Sequence, residues 1–163
     1  AVTVVLHGSN KQLVDEVHRS FVDAISVTRN LIRDPRIVYG GASSEMRAAV
    51  YLDKISDPSN PEITSPEKSL CIRAYSEALM EIPLILAENS GLDSKSIVAK
   101  LKAKIFDSGN SRWLGVDALQ KGTEDMKEQR VVESLSQKCQ QIMQATEVFR
   151  SIIKVDTVRM VEF

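Results

Sequence analysis

The sequence predicts a mainly α-helical domain with short β-strands at both ends of the chain. Apolar residues recur three or four positions apart between Lys11 and Arg33, which is the pattern of one long amphipathic helix. Apolar runs rich in β-branched residues lie near both termini, at Val2–Leu6 and at Ile153–Val158. Such residues favour the extended backbone of a strand. These observations indicate a helical body flanked by strands.

Local signals give the order of the helices. Asn10 caps the first helix, and Pro35 ends it. Ser65-Pro66-Glu67 is a strong helix start, because it combines a cap, a proline in the first turn and an acid near the positive end of the helix dipole. Gly91 ends that helix, and Pro83 within it predicts a kink. The expected helices are about 11–33, 43–55, 67–91, 93–106 and 135–152, with an irregular or strand-like segment at 109–123 anchored by Trp113.

Composition excludes several classes of protein. A chain of 163 residues with 43% hydrophobic residues can bury the core of one domain, so intrinsic disorder is excluded as the main state. Lys and Arg number 21 against 22 Asp and Glu, which argues against a nucleic-acid or anionic-membrane partner. Two cysteines are too few for a disulfide framework and fit a reducing, cytoplasmic location. The chain starts without methionine, which suggests a piece of a longer protein.

The sequence motifs by themselves leave the chemistry of this protein open. The histidines and cysteines lack the spacing of metal ligands, and we find no phosphate loop, catalytic triad or Rossmann glycine pattern. On a helical wheel Asp23 lies roughly 140° from the centre of the apolar stripe, either as part of a solvated face paired with Arg19 or as a functional carboxylate. Gly40-Gly41 before a helix is either a plain turn or a place where backbone N–H groups approach an anion.

Four segments in order extend this interpretation across nearly the whole chain. They are Gly8–Lys11 with Arg19–Ala24, then Val38–Glu45, then Ile82-Pro83 with Leu86–Asp93, and finally Leu114–Asp117 with Ile152–Asp156. In this register the chain resembles the C-terminal part of a group II chaperonin subunit, the family of the thermosome and the eukaryotic T-complex chaperonin. Within that family, Arg29–Pro35 and Lys121–Lys127 are most similar to epsilon subunits.

The resemblance implies an architecture and a function. Residues 1–33 would belong to the intermediate domain, and 34–163 would form the C-terminal half of the equatorial domain, a helical bundle that binds ATP and contacts neighbouring subunits. The parent would be an ATP-dependent cytosolic chaperonin that folds proteins such as actin and tubulin inside a double ring of subunits. Clients would bind through an apical domain that this sequence lacks. The competing hypothesis is a helical scaffold or interaction module without nucleotide chemistry.

The resemblance also assigns residues to the nucleotide site. Asp23 matches the carboxylate that positions or activates the attacking water during ATP hydrolysis. A single carboxylate can have this effect because phosphoryl transfer depends mainly on positioning and electrostatics. Gly41, with Gly40, matches the glycine whose missing side chain lets nucleotide lie against the backbone. The resemblance places the remaining residues around the adenine and ribose: Asp117, Ala118, Leu119, Val131 and Glu133, with Lys138 as a weaker assignment. Glu133 would accept hydrogen bonds from the ribose hydroxyls.

The sequence departs from the family in ways that limit the isolated chain. Ala42 replaces a family glycine, which predicts a tighter or less permissive turn, and Thr157 stands where a second acid is usual. The family's phosphate-binding loop and its Mg²⁺-binding aspartate are absent, so this chain holds half of a site for ATP or ADP with Mg²⁺. We expect the isolated chain to bind no cofactor, to lack ATPase activity, and to self-associate through helix faces meant for the missing half.

Overall fold

The computed structural model describes residues 1–57, 59–61, 63–107, 113–157 and 159. Within these residues the chain forms five helices and two short strands. The helices are α1 (Lys11–Arg33), α2 (Ser43–Ile55), α3 (Pro66–Asn89), α4 (Ser94–Asp107) and α5 (Leu135–Ile153). The strands are β1 (Ile37–Tyr39) and β2 (Val132–Ser134), which pair in a two-stranded sheet. The mainly helical class is confirmed, and the helices begin and end close to the predicted positions.

The two strands are not the terminal runs that the sequence indicated. Val2–Leu6 has no regular secondary structure and is mostly exposed, whereas Ile153 ends α5 and residues 155–157 are irregular. Val158 lies outside the described residues. A strand requires a second strand to satisfy its backbone N–H and C=O groups, and neither run has one within the described part of the chain. The prediction of strands at the chain ends was therefore wrong in position.

Internal contacts divide the chain into two compact units. Unit 1 contains Ala1–Ile37 and Ser134–Phe163, and unit 2 contains Val38–Glu133. The assignment of 1–33 and 34–163 to intermediate and equatorial domains stays a prediction.

Unit 2 has a hydrophobic core between α2, α3 and α4. Buried positions recur at helical spacing, as in Val98, Leu101 and Ile105 on α4, so each helix turns one apolar stripe inward. The core residues are Met46, Val50, Ala87, Leu101, Ile105 and Val116. Burying an aliphatic side chain of this size contributes roughly 1.5–3 kcal/mol. This cluster therefore makes a large contribution to the stability of unit 2.

The ends of α3 follow from the predicted signals. The hydroxyl of Ser65 accepts a hydrogen bond from the backbone N–H of Lys68 at 3.2 Å, and Pro66 occupies the first turn. Gly91 follows the last turn with a left-handed φ of +72°, a conformation that glycine adopts without steric cost. Between these ends α3 continues through Pro83, whose ring is buried.

Unit 1 contains α1 and α5, neither of which has a buried residue. Asn10 Oδ1 accepts from the N–H of Leu13 at 2.8 Å and caps α1 as predicted. After α1, the guanidinium of Arg36 donates to both carboxylate oxygens of Asp34 and lowers the pKa of Asp34 to about 2. The two helices carry exposed apolar side chains, among them Ile25, Ile32, Met143, Val148, Phe149 and Ile152. These side chains give a physical basis for the expected self-association, which stays a prediction.

A polar cluster joins the three helices of unit 2. Asp53 on α2 lies 2.7 Å from Lys102 Nζ on α4 and 2.6 Å from Ser76 Oγ on α3. Burial raises the pKa of Asp53, but the hydrogen bonds from Lys102 and Ser76 outweigh burial and hold that pKa below its usual value. The ionised carboxylate therefore stabilises the packing of α2, α3 and α4.

Replacing Lys102 with methionine should reduce the loss of stability in acid. The folded state lowers the pKa of Asp53, so ionised Asp53 contributes to the free energy of unfolding. This contribution is complete above the unfolded-state pKa near 3.9. It is lost as the pH falls through the lower folded-state pKa. The two side chains are 34% and 42% exposed, so the expected effect is at most about 1 kcal/mol. Urea unfolding between pH 6 and pH 2 measures it. The exposed Lys95 on the same helix provides the control, Lys95→Met, and equal acid sensitivity of both variants would contradict the prediction.

Candidate functional site

The centre of the candidate site is the turn Gly40-Gly41-Ala42 between β1 and α2, which we call the glycine turn. Gly41 has a left-handed φ of +64°, and a Cβ atom built on it would lie 2.6 Å from Met126 Sδ and 3.0 Å from the carbonyl oxygen of Val116. At these distances a side chain at position 41 would force Met126 and the backbone of Val116 to move. Packing against the protein's own chain therefore favours glycine here. The predicted role of Gly41, to leave space for a nucleotide, stays a prediction.

Ala42 continues the same turn. Its φ is +58°, it is buried, and it is the N-cap of α2 with no side-chain hydrogen bond to the helix. The predicted consequence of alanine at this position, a tighter or less permissive turn, stays a prediction. The left-handed conformation costs a residue with a Cβ atom roughly 1–2 kcal/mol.

A loop of residues 113–131 packs against the glycine turn. The N–H of Val116 donates to the carbonyl oxygen of Gly41 at 2.8 Å, and Leu114 forms an isolated antiparallel bridge with Asp125. Val116 and Met126 are each only 1% exposed, whereas Trp113 is 36% exposed. Val116 and Met126 therefore anchor this segment, and the prediction that Trp113 would do so was wrong. Residues 109–112 of the predicted segment lie outside the described residues.

Charges hold the same loop to α4. Glu124 accepts from Lys104 and lies 3.3 Å from Lys100 Nζ. Burial raises the pKa of Glu124, but the two lysines outweigh burial and lower that pKa below its usual value. The side-chain amide of Gln120 also donates to the carbonyl oxygen of Ser90 at 2.8 Å. The loop is thus fixed to the helical core at two further points.

The carboxylate of Asp117 is engaged within the loop itself. It accepts from the N–H of Lys121 at 3.1 Å, from the N–H of Gly122 at 2.7 Å and from the side-chain amide of Gln129 at 2.7 Å. Burial raises the pKa of Asp117, yet these donors outweigh burial and lower it. The next two residues of the predicted site are half-buried Ala118 and exposed Leu119.

The strand β2 and the residue before it bring two more predicted residues, Glu133 and Val131, to the turn. The N–H of Gly40 donates to the carbonyl oxygen of Val131 at 3.0 Å. A Cβ atom built on Gly40 would lie 2.7 Å from Val131 Cγ1 and 3.2 Å from Glu133 Oε1. The half-buried carboxylate of Glu133 therefore lies beside the turn, and a carboxylate there fits the hydroxyl groups of a ribose, which need hydrogen-bond acceptors.

Asp23 and Lys138 lie in unit 1, on α1 and α5. Asp23 is exposed, and within the described residues its carboxylate forms no hydrogen bond or ion pair. Arg19, its expected partner, pairs with Glu16 instead, so the proposed Arg19–Asp23 pair was wrong. Lys138 is half-buried. The roles of Asp23 and Lys138 stay predictions.

The structure thus brings Gly40, Gly41, Asp117, Val131 and Glu133 together within unit 2. Sequence analysis missed Met126 and Gln129, which build the turn and the loop. Gln129 carries no such signal, because a glutamine in a polar segment is typical of a solvated loop. Met126 carries a weak one, because a methionine among charged residues suggests burial, but the sequence does not show what it packs against.

Two further observations on the described residues bear on other functions. No group of three or more His, Cys, Asp or Glu side chains there is arranged to hold a metal ion. None of the helices in that part of the chain has both the length and the hydropathy needed to cross a membrane.

Comparisons with known proteins give consistent results. The model of the TCP-1/cpn60 chaperonin family matches residues 1–162. This chain is 39% identical to T-complex protein 1 subunit epsilon and 41% identical to T-complex protein 1 subunit beta, both of Encephalitozoon cuniculi. Each alignment covers 158 residues, or 97% of this chain. A thermosome subunit of Methanothermococcus thermolithotrophicus is 36% identical over the same length. The epsilon and beta subunits are thus similarly close.

A solved structure agrees with this similarity. The open-state monomer of a group II chaperonin from Methanococcoides burtonii matches 95% of this chain with a TM-score of 0.71 and 32% sequence identity. The match covers 37% of that monomer. The chain spans 28–30% of the length of the three curated relatives.

Proposed function

The chain belongs to the TCP-1/cpn60 chaperonin family, and on that premise we propose that it is part of a chaperonin subunit whose ATP hydrolysis drives protein folding. In this proposal the subunit assembles with others in a double ring in the cytosol and folds clients such as actin and tubulin. This chain supplies one side of the nucleotide site, and the rest of the subunit supplies the phosphate-binding loop and the Mg²⁺ ligands.

The observation that carries the proposal is the meeting of the glycine turn, the 113–131 loop and the carboxylate of Glu133 in unit 2. Gly40 and Val131 are far apart in sequence but are joined by a backbone hydrogen bond. An arrangement with an acceptor carboxylate next to a backbone turn suits the sugar of a nucleoside. Bound Mg²⁺ would neutralise phosphate charge during hydrolysis, whereas the residues of this chain bind the nucleoside and, through Asp23, orient water.

The test replaces Glu133 with alanine in the whole subunit. Loss of a charged hydrogen-bond acceptor should weaken ATP binding by about tenfold or more, because hydrogen bonds to charged groups are worth roughly 1.5–3 kcal/mol. Titration calorimetry measures the Kd. The exposed Glu81 on α3 gives the matched control, Glu81→Ala, which should bind as the parent does. A parent that binds no ATP would favour the scaffold hypothesis.

A further inference from the structure

The start of α3 carries a sequence pattern that the proposed function does not use. Ser65-Pro66-Glu67-Lys68 has a proline directly after a serine and a lysine two positions after that proline. This is the substrate pattern of proline-directed protein kinases. Proline lacks a backbone N–H, so it fits an apolar pocket in which the N–H of another residue would lose its hydrogen bond, and the lysine pairs with anionic groups of the kinase.

Ser65 already has the backbone conformation that such a kinase binds. The residue before a proline is restricted to extended conformations, and Ser65 has a φ of −152° and a ψ of 153°. Ile63 and Thr64, which precede it, have no regular secondary structure. The residues after Ser65 form the first turn of α3, which must open as they extend along the kinase. The end turn of a helix opens at low cost, because its first N–H groups have no partner within the helix.

The hydroxyl of Ser65 is held only by that first turn in the bonds that the structure gives it. Ser65 Oγ accepts from the N–H of Lys68 at 3.2 Å, and its hydroxyl donates to the carboxylate of Glu67. Ser65 is half-buried, whereas Thr64, Pro66, Glu67 and Lys68 are exposed. Opening the first turn therefore releases the hydroxyl without disturbing the core of unit 2.

The folded chain has room for a phosphoryl group on Ser65. Ser65 and Pro66 line an open cavity of about 870 Å³ in unit 2, and the cationic side chains of Arg73 and Lys102 line the same cavity. The acids that line it each have a partner within the protein: Asp53, Asp57 and Glu77. A phosphate on the N-cap residue offers oxygen acceptors to the first turn and places negative charge at the positive end of the helix dipole, so α3 can re-form after modification.

We propose that Ser65 is a phosphorylation site for a proline-directed protein kinase. In the reaction Ser65 Oγ attacks the γ-phosphorus of ATP bound to the kinase, an Oγ–P bond forms, and the bond from that phosphorus to the bridging oxygen of ADP breaks. The hydroxyl proton passes to the catalytic aspartate of the kinase, and ADP leaves. The modification adds a charge of roughly −1.5 to −2 at neutral pH to the start of α3. It does not rest on the nucleotide chemistry proposed for the glycine turn.

The test incubates the whole, folded subunit with a purified cyclin-dependent kinase, which is a proline-directed enzyme, and ATP. Intact mass measures the phosphate gained, and fragmentation of peptides locates it. We expect one phosphate on Ser65, and none there when the kinase is left out. Pro66→Ala keeps the serine and a residue that suits a helix, and it should slow modification of Ser65 about tenfold or more. Thr64→Ala changes the exposed neighbour on the other side and should leave the rate unchanged.

A second variant leaves both the proline and the cap in place. Lys68→Ala keeps the backbone N–H that donates to Ser65 and removes only the cationic side chain, so it should also slow the modification, again by about tenfold. A folded parent that gains no phosphate on Ser65, from a kinase that is active on a standard peptide, would overturn the inference. Equal rates for the parent and Pro66→Ala would do the same, because the serine would then be reached without recognition of its sequence. Binding of ATP by the subunit enters neither readout, so failure here leaves the proposed function intact.

Discussion

Replacement of Asp23 with alanine in the whole, ring-assembled subunit should reduce single-turnover ATP hydrolysis at its site by about a hundredfold or more, which is the usual contribution of a group that orients or deprotonates the attacking nucleophile. ATP binding should be retained, because Asp23 is exposed on α1 and takes no part in the packing of that helix. The Arg19–Glu16 pair leaves its carboxylate without a salt bridge in the described residues, so no partner is lost on replacement.

The control for Asp23 lies on the same helix. Asp15 is also exposed, and Asp15→Ala removes the same charge from α1 at a different position. Hydrolysis by that variant should equal that of the parent, and the isolated chain should give no turnover at all. If Asp23→Ala hydrolyses ATP at the parent rate, Asp23 belongs to a solvated face and the scaffold hypothesis gains support.

Replacement of Gly41 with alanine should cause a large loss of stability in unit 2. A left-handed φ costs a residue with a Cβ atom roughly 1–2 kcal/mol, and overpacking against Met126 and the Val116 backbone adds roughly 1–3 kcal/mol. The expected loss in the free energy of unfolding is therefore about 3 kcal/mol. Urea unfolding measures it, and the total is a large part of the 5–15 kcal/mol typical of a domain.

Gly122 separates the two causes of that loss. It also has a positive φ, of +81°, but a Cβ atom built on it meets nothing within 4 Å. Gly122→Ala should therefore cost only the conformational part, about 1–2 kcal/mol. Equal losses for Gly41→Ala and Gly122→Ala would mean that the turn is not packed against Met126 as described.

The helices could be predicted because their signals are local. The apolar spacing of α1 and the cap at Ser65 lie within a few residues of the elements that they define. The strands could not, because a strand depends on a distant partner, and Val2–Leu6 has the right residues without that partner. Residue type predicts the propensity for a strand but not the pairing.

Only part of the candidate site could be predicted, because some of its residues depend, as the strands do, on partners far away in the sequence. The resemblance identified the glycine turn and Glu133, which the structure brings together. It did not reveal that Gly41 accommodates Met126, or that the carboxylate of Asp117 is used within its own loop. Those roles depend on contacts between residues that no local pattern connects, so only the three-dimensional arrangement reveals them.

The hydrogen bond from Gly40 to Val131 has a consequence for the kinetics of folding. It closes a loop of roughly ninety residues, and the entropy lost on closure grows with loop length, so we expect this contact to form after α2, α3 and α4 have packed. Contacts that form after the transition state affect mainly the rate of unfolding. A nucleotide bound beside this turn would therefore prolong the lifetime of the folded state and leave the rate of folding nearly unchanged.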